Sequence, residues 1–300
     1  MGFAKVQQMV PQTEEAQKLQ KIVRMVKNSE ISSIKNVVSG ILKIINDPRS
    51  TSRDLMELIE IDPPLSAQVL KVANSAYYSP PSRIGEILKA ILWIGYDAIK
   101  ELVLHQKVCN VFANGVAVES YSRSALWKHS VAVAVMGKMI YRREYGETGE
   151  NMYAAGLLHD IGLIAEDQFC GPEFAETLRR SAEEKLDFAA AETGVFGFSH
   201  AELGRAVLKS WEMPEELCEA IGQHHNPTRG ARFSKIACTL YLSDAICQEK
   251  NVGYMDSPTC NIAVFNRCLK ETGVERRALD LISKDVDEQI GKLEKQELFG

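Results

Sequence analysis

An all-α fold is predicted by three features of this 300-residue sequence. Apolar residues recur at three- and four-residue spacing through nearly the whole chain, and Ser or Thr stands where such stripes begin. No stretch of convincing length alternates apolar and polar residues as a half-buried strand does.

Ala16, Leu19, Ile22, Val23 and Val26 form the first stripe, with Thr13 as its N-cap. Ile34, Val37, Val38, Ile41, Leu42 and Ile45 form the second, which Asp47-Pro48 stops, because proline cannot continue a helix. Ser52 caps a third, with Leu55, Leu58 and Ile59 inward and Asp62-Pro63-Pro64 as terminator, and Ser66 caps the run 67–73. Helical segments follow over 87–94 and 98–112. The polar stretch from Asn114 to Ser122 is the expected boundary between two helical subdomains. Beyond it the pattern predicts helices over 124–145, 151–166, 173–183, 200–211, 214–224 and 233–249, with Pro214 in a first helical turn. Gly253 to Pro258 is a second break, followed by a polar, amphipathic tail of one or two helices. The division is a leader helix over 1–32, a helical subdomain over 33–115, a second over 116–250, and a tail over 251–300.

Hydrophobic residues are 45% and charged residues 25%, ordinary for a soluble globular protein. A net charge of −5 argues against a general nucleic-acid binder, which needs clustered Lys and Arg to neutralise phosphates. Seven cysteines without a C-x-x-C pair read as buried free thiols of a reducing compartment. Met1 to Pro11 lacks an apolar signal core, and the most apolar run, Val131 to Val135, is too short to span a bilayer. The expectation is a soluble cytoplasmic protein with no direct nucleic-acid or membrane partner.

The chemistry lies in the histidines. Five of the six, His129, His159, His200, His224 and His225, fall between residues 129 and 225, accompanied by Asp160 and Asp244. His129 precedes the apolar run Val131 to Val135, and a lone His there is more often a hydrogen-bonded core residue than a ligand. His159-Asp160 ends the run Ala154-Ala155-Gly156-Leu157-Leu158, and a buried Asp is costly unless paired or coordinated. His200 starts a helix with Ser199 as cap, and His224-His225 closes one, where His also complements the helix dipole. Asp244 lies inside an apolar helix and needs a partner in the same way. Together these are seven ligand-type groups from five helical segments, enough for two ions. Imidazole with carboxylate suits Fe, Mn or Zn, and an Asp that bridges two ions belongs to sites that hydrolyse phosphoesters. The sixth, His105, reads as structural, as do Met136, Met139 and Trp211. The acidic run at Glu183-Glu184 and the Glu-Lys-rich tail read as solvated faces.

The order His129, His159-Asp160, Asp244 resembles the HD superfamily of metal-dependent phosphohydrolases, and His200 with His224-His225 extends the likeness to the HD-GYP cyclic-di-GMP phosphodiesterases. The chain is most similar to the HDOD family, the HD-related output domain of bacterial signalling. That resemblance rests on Ile61-Asp62-Pro63-Pro64-Leu65-Ser66 and Val69-Leu70-Lys71-Val72-Ala73-Asn74-Ser75-Ala76-Tyr77. It continues through 87–104 with Ile94-Gly95, His200-Ala201-Glu202-Leu203-Gly204, Trp211, Pro214 and His224-His225-Asn226-Pro227, covering about Ser33 to Ile246.

The resemblance implies an N-terminal helical bundle packed on an HD-like subdomain and restricting access to its site. It implies two divalent transition-metal ions, Fe or Mn in first place, with Zn or Ni able to occupy the site on purification. His129, His159 and Asp244 would hold one ion; His200 with His224, His225 or both would hold the other. Asp160 would bridge them and activate a hydroxide if the site is catalytic, with Lys128, Arg229 or Arg232 neutralising phosphate. Asn74 and Ser75, in the polar and aromatic break before Pro80-Pro81, would form a recognition loop.

Three departures bear on activity. HD-GYP enzymes carry Lys where this chain has Leu163, Gly-Tyr-Pro where it has Asn226-Pro227-Thr228-Arg229-Gly230, and in some a Glu where it has Ala125. A third metal and cyclic-di-GMP hydrolysis are therefore not expected. Two readings follow. One is a signalling output module that keeps its metal and binds a signalling partner or a small nucleotide or phosphoester. The other is a metal-dependent phosphohydrolase. Leu163 and the missing Gly-Tyr-Pro favour the first; the complete ligand set keeps the second open.

Overall fold

The computed structural model describes residues 13–112, 121–252 and 260–295, and all their regular structure is helical. The N-terminal part comprises α1 (Glu14–Lys27), α2 (Lys35–Asn46), α3 (Ser52–Glu60), α4 (Pro63–Ala73), α5 (Ile87–Ile94) and α6 (Tyr96–Phe112). The second part comprises α7 (Arg123–Ile140), α8 (Glu150–Leu158), α9 (Ile161–Phe169), α10 (Gly171–Glu184), α11 (Phe188–Phe196), α12 (His200–Ser210), α13 (Glu215–Gly222) and α14 (Ser234–Glu249). Two tail helices follow, α15 (Ile262–Thr272) and α16 (Arg276–Lys295).

Local signals decide the starts of several helices. Thr13 and Ser199 cap α1 and α12 as expected, and the Ser199 backbone N–H donates in return to the Glu202 carboxylate. Two caps differ from expectation. Thr51, not Ser52, caps α3, because Asp54 stands three residues after it and closes a capping box. Asp62, not Ser66, caps α4; the Asp62-Pro63-Pro64 segment ends one helix and starts the next, with proline in the first turn. Ser66 then lies inside α4 and donates to the Ile59 carbonyl at 2.9 Å. Pro214 is likewise the residue before α13 rather than inside its first turn. The helix expected over 124–145 ends at Ile140 and continues as one π-helical turn, Tyr141–Tyr145. Of the two expected breaks, 253–258 and most of 114–122 lie outside the described residues; Ser122 caps α7.

Helices α2–α6 form a bundle whose last member packs on α7 and α8. The first and last described helices belong to the body. Helix α1 lies against α9 and α12, and burial of Ile22, Val23 and Val26 favours that docking by roughly 5–9 kcal/mol before chain entropy. Helix α15 packs on α14, and α16 on α7 and α14. The central helix is thus α7, and α8 approaches it closely at Gly156, where a Cβ would stand 2.4 Å from Ala134 Cα. Among the described residues no helix is long and apolar enough to cross a membrane.

Candidate metal centre

The helix expected over 151–166 is broken at its most important point. Helix α8 ends at Leu158 and α9 starts at Ile161, with Asp160 at φ −99°, ψ 17° between them. On an unbroken helix adjacent side chains diverge by about 100°. The break turns both inward, so that His159 Nε2 stands 3.1 Å from Asp160 Oδ2.

Five further side chains from four elements surround this pair. From α7, His129 Nε2 lies 3.0 Å from Asp244 Oδ1 on α14. At the start of α12, His200 Nε2 lies 3.3 Å from Asp160 Oδ1; His224, beyond the end of α13, is 3.6 Å from the same oxygen. His225 Nε2 stands 2.8 Å from His200 Nε2. All seven sequence-predicted ligand residues are therefore together. They resolve into three overlapping groups with ligand atoms within 4.8 Å of one another: His129, His159 and Asp244; His200, His224 and His225; and His159, Asp160 and His224.

The rings are held from behind. Nδ1–H donates to Val252 O at 2.6 Å in His129, to Gly156 O at 2.8 Å in His159 and to Ile221 O at 2.7 Å in His224. In His200 it donates to the Glu192 carboxylate at 2.7 Å. An acceptor at Nδ1 fixes the tautomer and turns the Nε2 lone pair to the centre, the usual arrangement behind metal-ligating imidazoles. The buried His159 Nε2 and Asp160 Oδ2 make no hydrogen bond in spite of their proximity. The Nε2 atoms of His200 and His224 face each other at 3.4 Å. Opposed lone pairs in a dry interior require a proton or a cation between them. The donor set fits borderline divalent ions.

A model of the HDOD domain matches residues 31–227. The chain belongs to the HDOD domain family. Six of the seven ligand-type residues fall within the matched segment; Asp244 lies beyond it. An HDOD protein of unknown function from Geobacter sulfurreducens has the same fold, with 27% identity, a TM-score of 0.74 and coverage of 94% of this chain and 97% of that one. A provisionally named phosphohydrolase from Shewanella amazonensis SB2B shares the fold at 23% identity and a TM-score of 0.66, over 94% of this chain and 96% of that one. An uncharacterized Treponema pallidum (strain Nichols) protein is 24% identical over 204 residues, which is 65% of this chain and only 38% of the relative's length.

Sequence reasoning missed two carboxylates that this HDOD chain places behind the cluster. Glu192 lies on α11, a helix not anticipated, and takes both the backbone N–H of His200, at 2.9 Å, and its ring. Glu166 on α9 is fully buried beside it. Their signal was two glutamates in otherwise apolar segments, Leu163-Ile164-Ala165 and Ala189-Ala190-Ala191.

The electrostatics follow from this layering. Burial opposes ionisation of Asp160, but the neighbouring imidazoles, His159 first and then His200 and His224, outweigh it and hold the carboxyl well below the ordinary range. Asp244 falls to about 2 against the same burial penalty, chiefly through His129. Burial lowers His224, and lowers His225 further with help from the neighbouring imidazoles, so both stay neutral and able to ligate. Burial opposes a charge on His200, but Glu192 and Asp160 together outweigh it and raise its pKa well above 6.5.

Burial and the neighbouring Glu192 charge push Glu166 well above its ordinary 4.5, so it keeps a proton. A folded carboxyl with a raised pKa binds a proton the unfolded chain has released. Its stability contribution is complete below about 4.5 and declines as pH rises toward the folded value. Glu166→Gln, which keeps the side chain's shape without the ionisable proton, is expected to match wild type at pH 5 and melt a few degrees higher at pH 8. Thermal melts across that range check it; a variant less stable at pH 8 would show that Glu166 is ionised.

The other candidate residues are placed less centrally. Lys128 and Arg229 are exposed, and Arg232 pairs with Glu215 at 3.1 Å on the surface. The Asn74 carboxamide is committed to the fold. It donates to Leu70 O at 2.7 Å and Ile84 O at 2.8 Å and accepts from Ile84 N–H at 2.8 Å, closing the loop 74–84. Ser75 Oγ is buried without a hydrogen bond. This loop borders a groove with Gln68, Lys71 and Arg83. His105 is buried against Trp127, with ring centres 4.7 Å apart, and burial drives its pKa to about 3. All seven cysteines are free thiols; five are buried and Cys260 is exposed.

Proposed function

We propose that this HDOD protein is a cytoplasmic signalling output module that carries two divalent transition-metal ions and acts by binding a partner protein or a small phosphoester ligand. The observation that carries the reading is the set of inward Nε2 atoms, four of them fixed from behind by an acceptor at Nδ1. His129, His159 and Asp244 would hold one ion and His200, His224 and His225 the other, with Asp160 between them. Iron or manganese suits this mixture of imidazole and carboxylate.

Burial favours an output role over catalysis. Apart from the half-buried His225, every ligand residue is at most 5% exposed. A diester has to reach the ions, and Leu163, where a related enzyme has Lys, is itself fully buried and uncharged. The second reading, a phosphohydrolase, is favoured by Asp160, whose two oxygens face His159 on one side and His200 and His224 on the other. The provisional name of the Shewanella neighbour points the same way. A bound ion pair would supply Lewis-acid charge and a lowered water pKa. Asp160 would hold its position, and Glu192 would keep His200 aligned.

Elemental analysis of anaerobically purified, iron- or manganese-reconstituted protein tests the proposal, with two ions per chain expected. Fewer than one per chain would overturn it. The same metallated sample should cleave cyclic-di-GMP at least about a hundredfold more slowly than an enzyme with a positioned cation, since one such group is worth roughly 10²–10³ in rate. Efficient cleavage that disappears in Asp160→Ala would replace the output reading with the enzymatic one.

A further inference from the structure

A second cavity, of about 370 Å3, lies where the N-terminal bundle, the metal-bearing half and the tail meet. Its walls come from the loop after α4 (Tyr77, Tyr78), from α6 (Glu101, His105), from α7 and its π-helical extension, from Tyr153 on α8 and from Gln289 on α16. None of the seven metal-ligand residues lines it. Lys138 stands nine residues from His129 on α7, about 13 Å along the helix axis. The two places are separate.

Three features give this cavity the chemistry of a ligand site. The first is its cations. Lys138 is 4% exposed, a cost a long ammonium side chain rarely bears without a purpose, and burial lowers its pKa against the opposing pull of Glu101. Arg142 and Arg143 join it from the π turn Tyr141–Tyr145, a distortion common at functional sites. Glu101 pairs with Lys138 and Arg142, and Asp285 with Arg143, so one positive charge is in excess. His105 is neutral and adds none.

The second feature is aromatic. Tyr77 and Tyr78 meet edge to face, 4.9 Å between centres, and Tyr153 forms another wall. Tyr77 is 55% exposed, an aromatic ring kept at the mouth of a cavity rather than in the core. The third is apolar lining from Val72, Leu102, Val135 and Met139. Flat apolar faces beside an excess guanidinium charge recognise a ring that carries an acidic group; Arg adds a planar fork suited to phosphate. Glu101 offers an acceptor for a ring N–H. The volume lies near the lower end of the roughly 300–1,000 Å3 found for small-molecule sites, room for one nucleotide and too little for a cyclic dinucleotide.

We propose that this cavity is a binding site for a nucleoside monophosphate or a planar anion of that size, separate from the metal centre. The phosphate is held by Lys138 and Arg142 and the ring by Tyr77 and Tyr78. The site joins the bundle to α7 and α8, the helices that present His129 and His159, so its occupant bridges the two halves of the chain.

Calorimetric titration of the full chain, stripped of metal by chelation, with AMP and with GMP tests the site apart from the metal reading. One nucleotide per chain is expected with Kd below about 1 mM, the level of a weak but specific contact. Adenosine and inorganic phosphate should each bind at least about tenfold more weakly, because each offers half the chemistry. Arg142→Glu and Tyr77→Ala alter side chains that are about half exposed, so both should melt with wild type. Each should weaken the nucleotide, Arg142→Glu by about tenfold or more. Absence of saturable binding by both nucleotides would overturn the proposal. So would affinities that neither variant changes, or binding that appears only when metal is restored.

Discussion

Asp160→Ala is expected to remove most of the bound metal, from two ions per chain to fewer than one. Asp160 is the only one of the seven whose oxygens approach ligands of both proposed ions, at 3.1 Å to His159, 3.3 Å to His200 and 3.6 Å to His224. Without it each ion keeps three protein ligands, but nothing holds the two positive charges together. The loss should also appear as stability. An ion present at a hundred times its dissociation constant stabilises the native state by about 2.7 kcal/mol. For a chain of this size that is about 4 °C in Tm. Metal added to wild type should therefore raise Tm, and metal added to Asp160→Ala should not. Asp160→Asn controls for the buried cavity, since it keeps the volume and one carbonyl oxygen; it should fold like wild type and still bind fewer ions. A fully metallated Asp160→Ala protein would mean that the bridge is misassigned.

What the sequence disclosed was governed by range. Thr13 and Ser199 are legible caps because their partners lie two or three residues away. The choice between Thr51 and Ser52 was also local, since Asp54 stands three residues after Thr51, but two adjacent cap formers obscured it. Residue type and context were enough to collect all seven candidate ligand residues, because buried Asp and repeated His in apolar helices need partners wherever the chain goes. The break at His159-Asp160 was not legible. Ala154-Ala155, Leu157-Leu158 and Ile161 continue one apolar pattern across it, and the interruption depends on α8 meeting α7 at Gly156 and on α9 meeting α12. Nor was α11, whose run Phe188–Phe196 is apolar on several sides and lacks a single stripe. With that helix went Glu192, whose role exists only because the fold carries it to His200. Spacing announces periodic and capped structure; it does not announce what two distant segments do to one another.

Gly162→Ala shows how strongly that second kind of contact acts, and it is expected to be among the most damaging single-methyl changes in the protein. A Cβ at Gly162 would stand 2.1 Å from the His200 carbonyl oxygen, 2.8 Å from its carbon and 3.0 Å from its Cα. These are backbone atoms at the start of α12, so no rotamer change relieves the clash and the two helices have to separate. Overpacking a tight interior costs about 1–3 kcal/mol, and a backbone obstacle places this case at the upper end or beyond. The gain of up to about 1 kcal/mol from replacing glycine within a helix does not offset it. The expected fall in Tm is about 6 °C or more. The consequence for the metal is separate and more diagnostic. His200 sits at that contact, so moving α12 draws its Nε2 away from Asp160 and from His224, and the second ion should bind at least about tenfold more weakly, as when a supporting contact behind a ligand is removed. Gly291→Ala on α16 meets nothing within 4 Å and serves as the control, with stability unchanged or slightly raised. If Gly162→Ala melted with wild type and held both ions with undiminished affinity, the close approach of α9 and α12 could not be what fixes His200 in the centre.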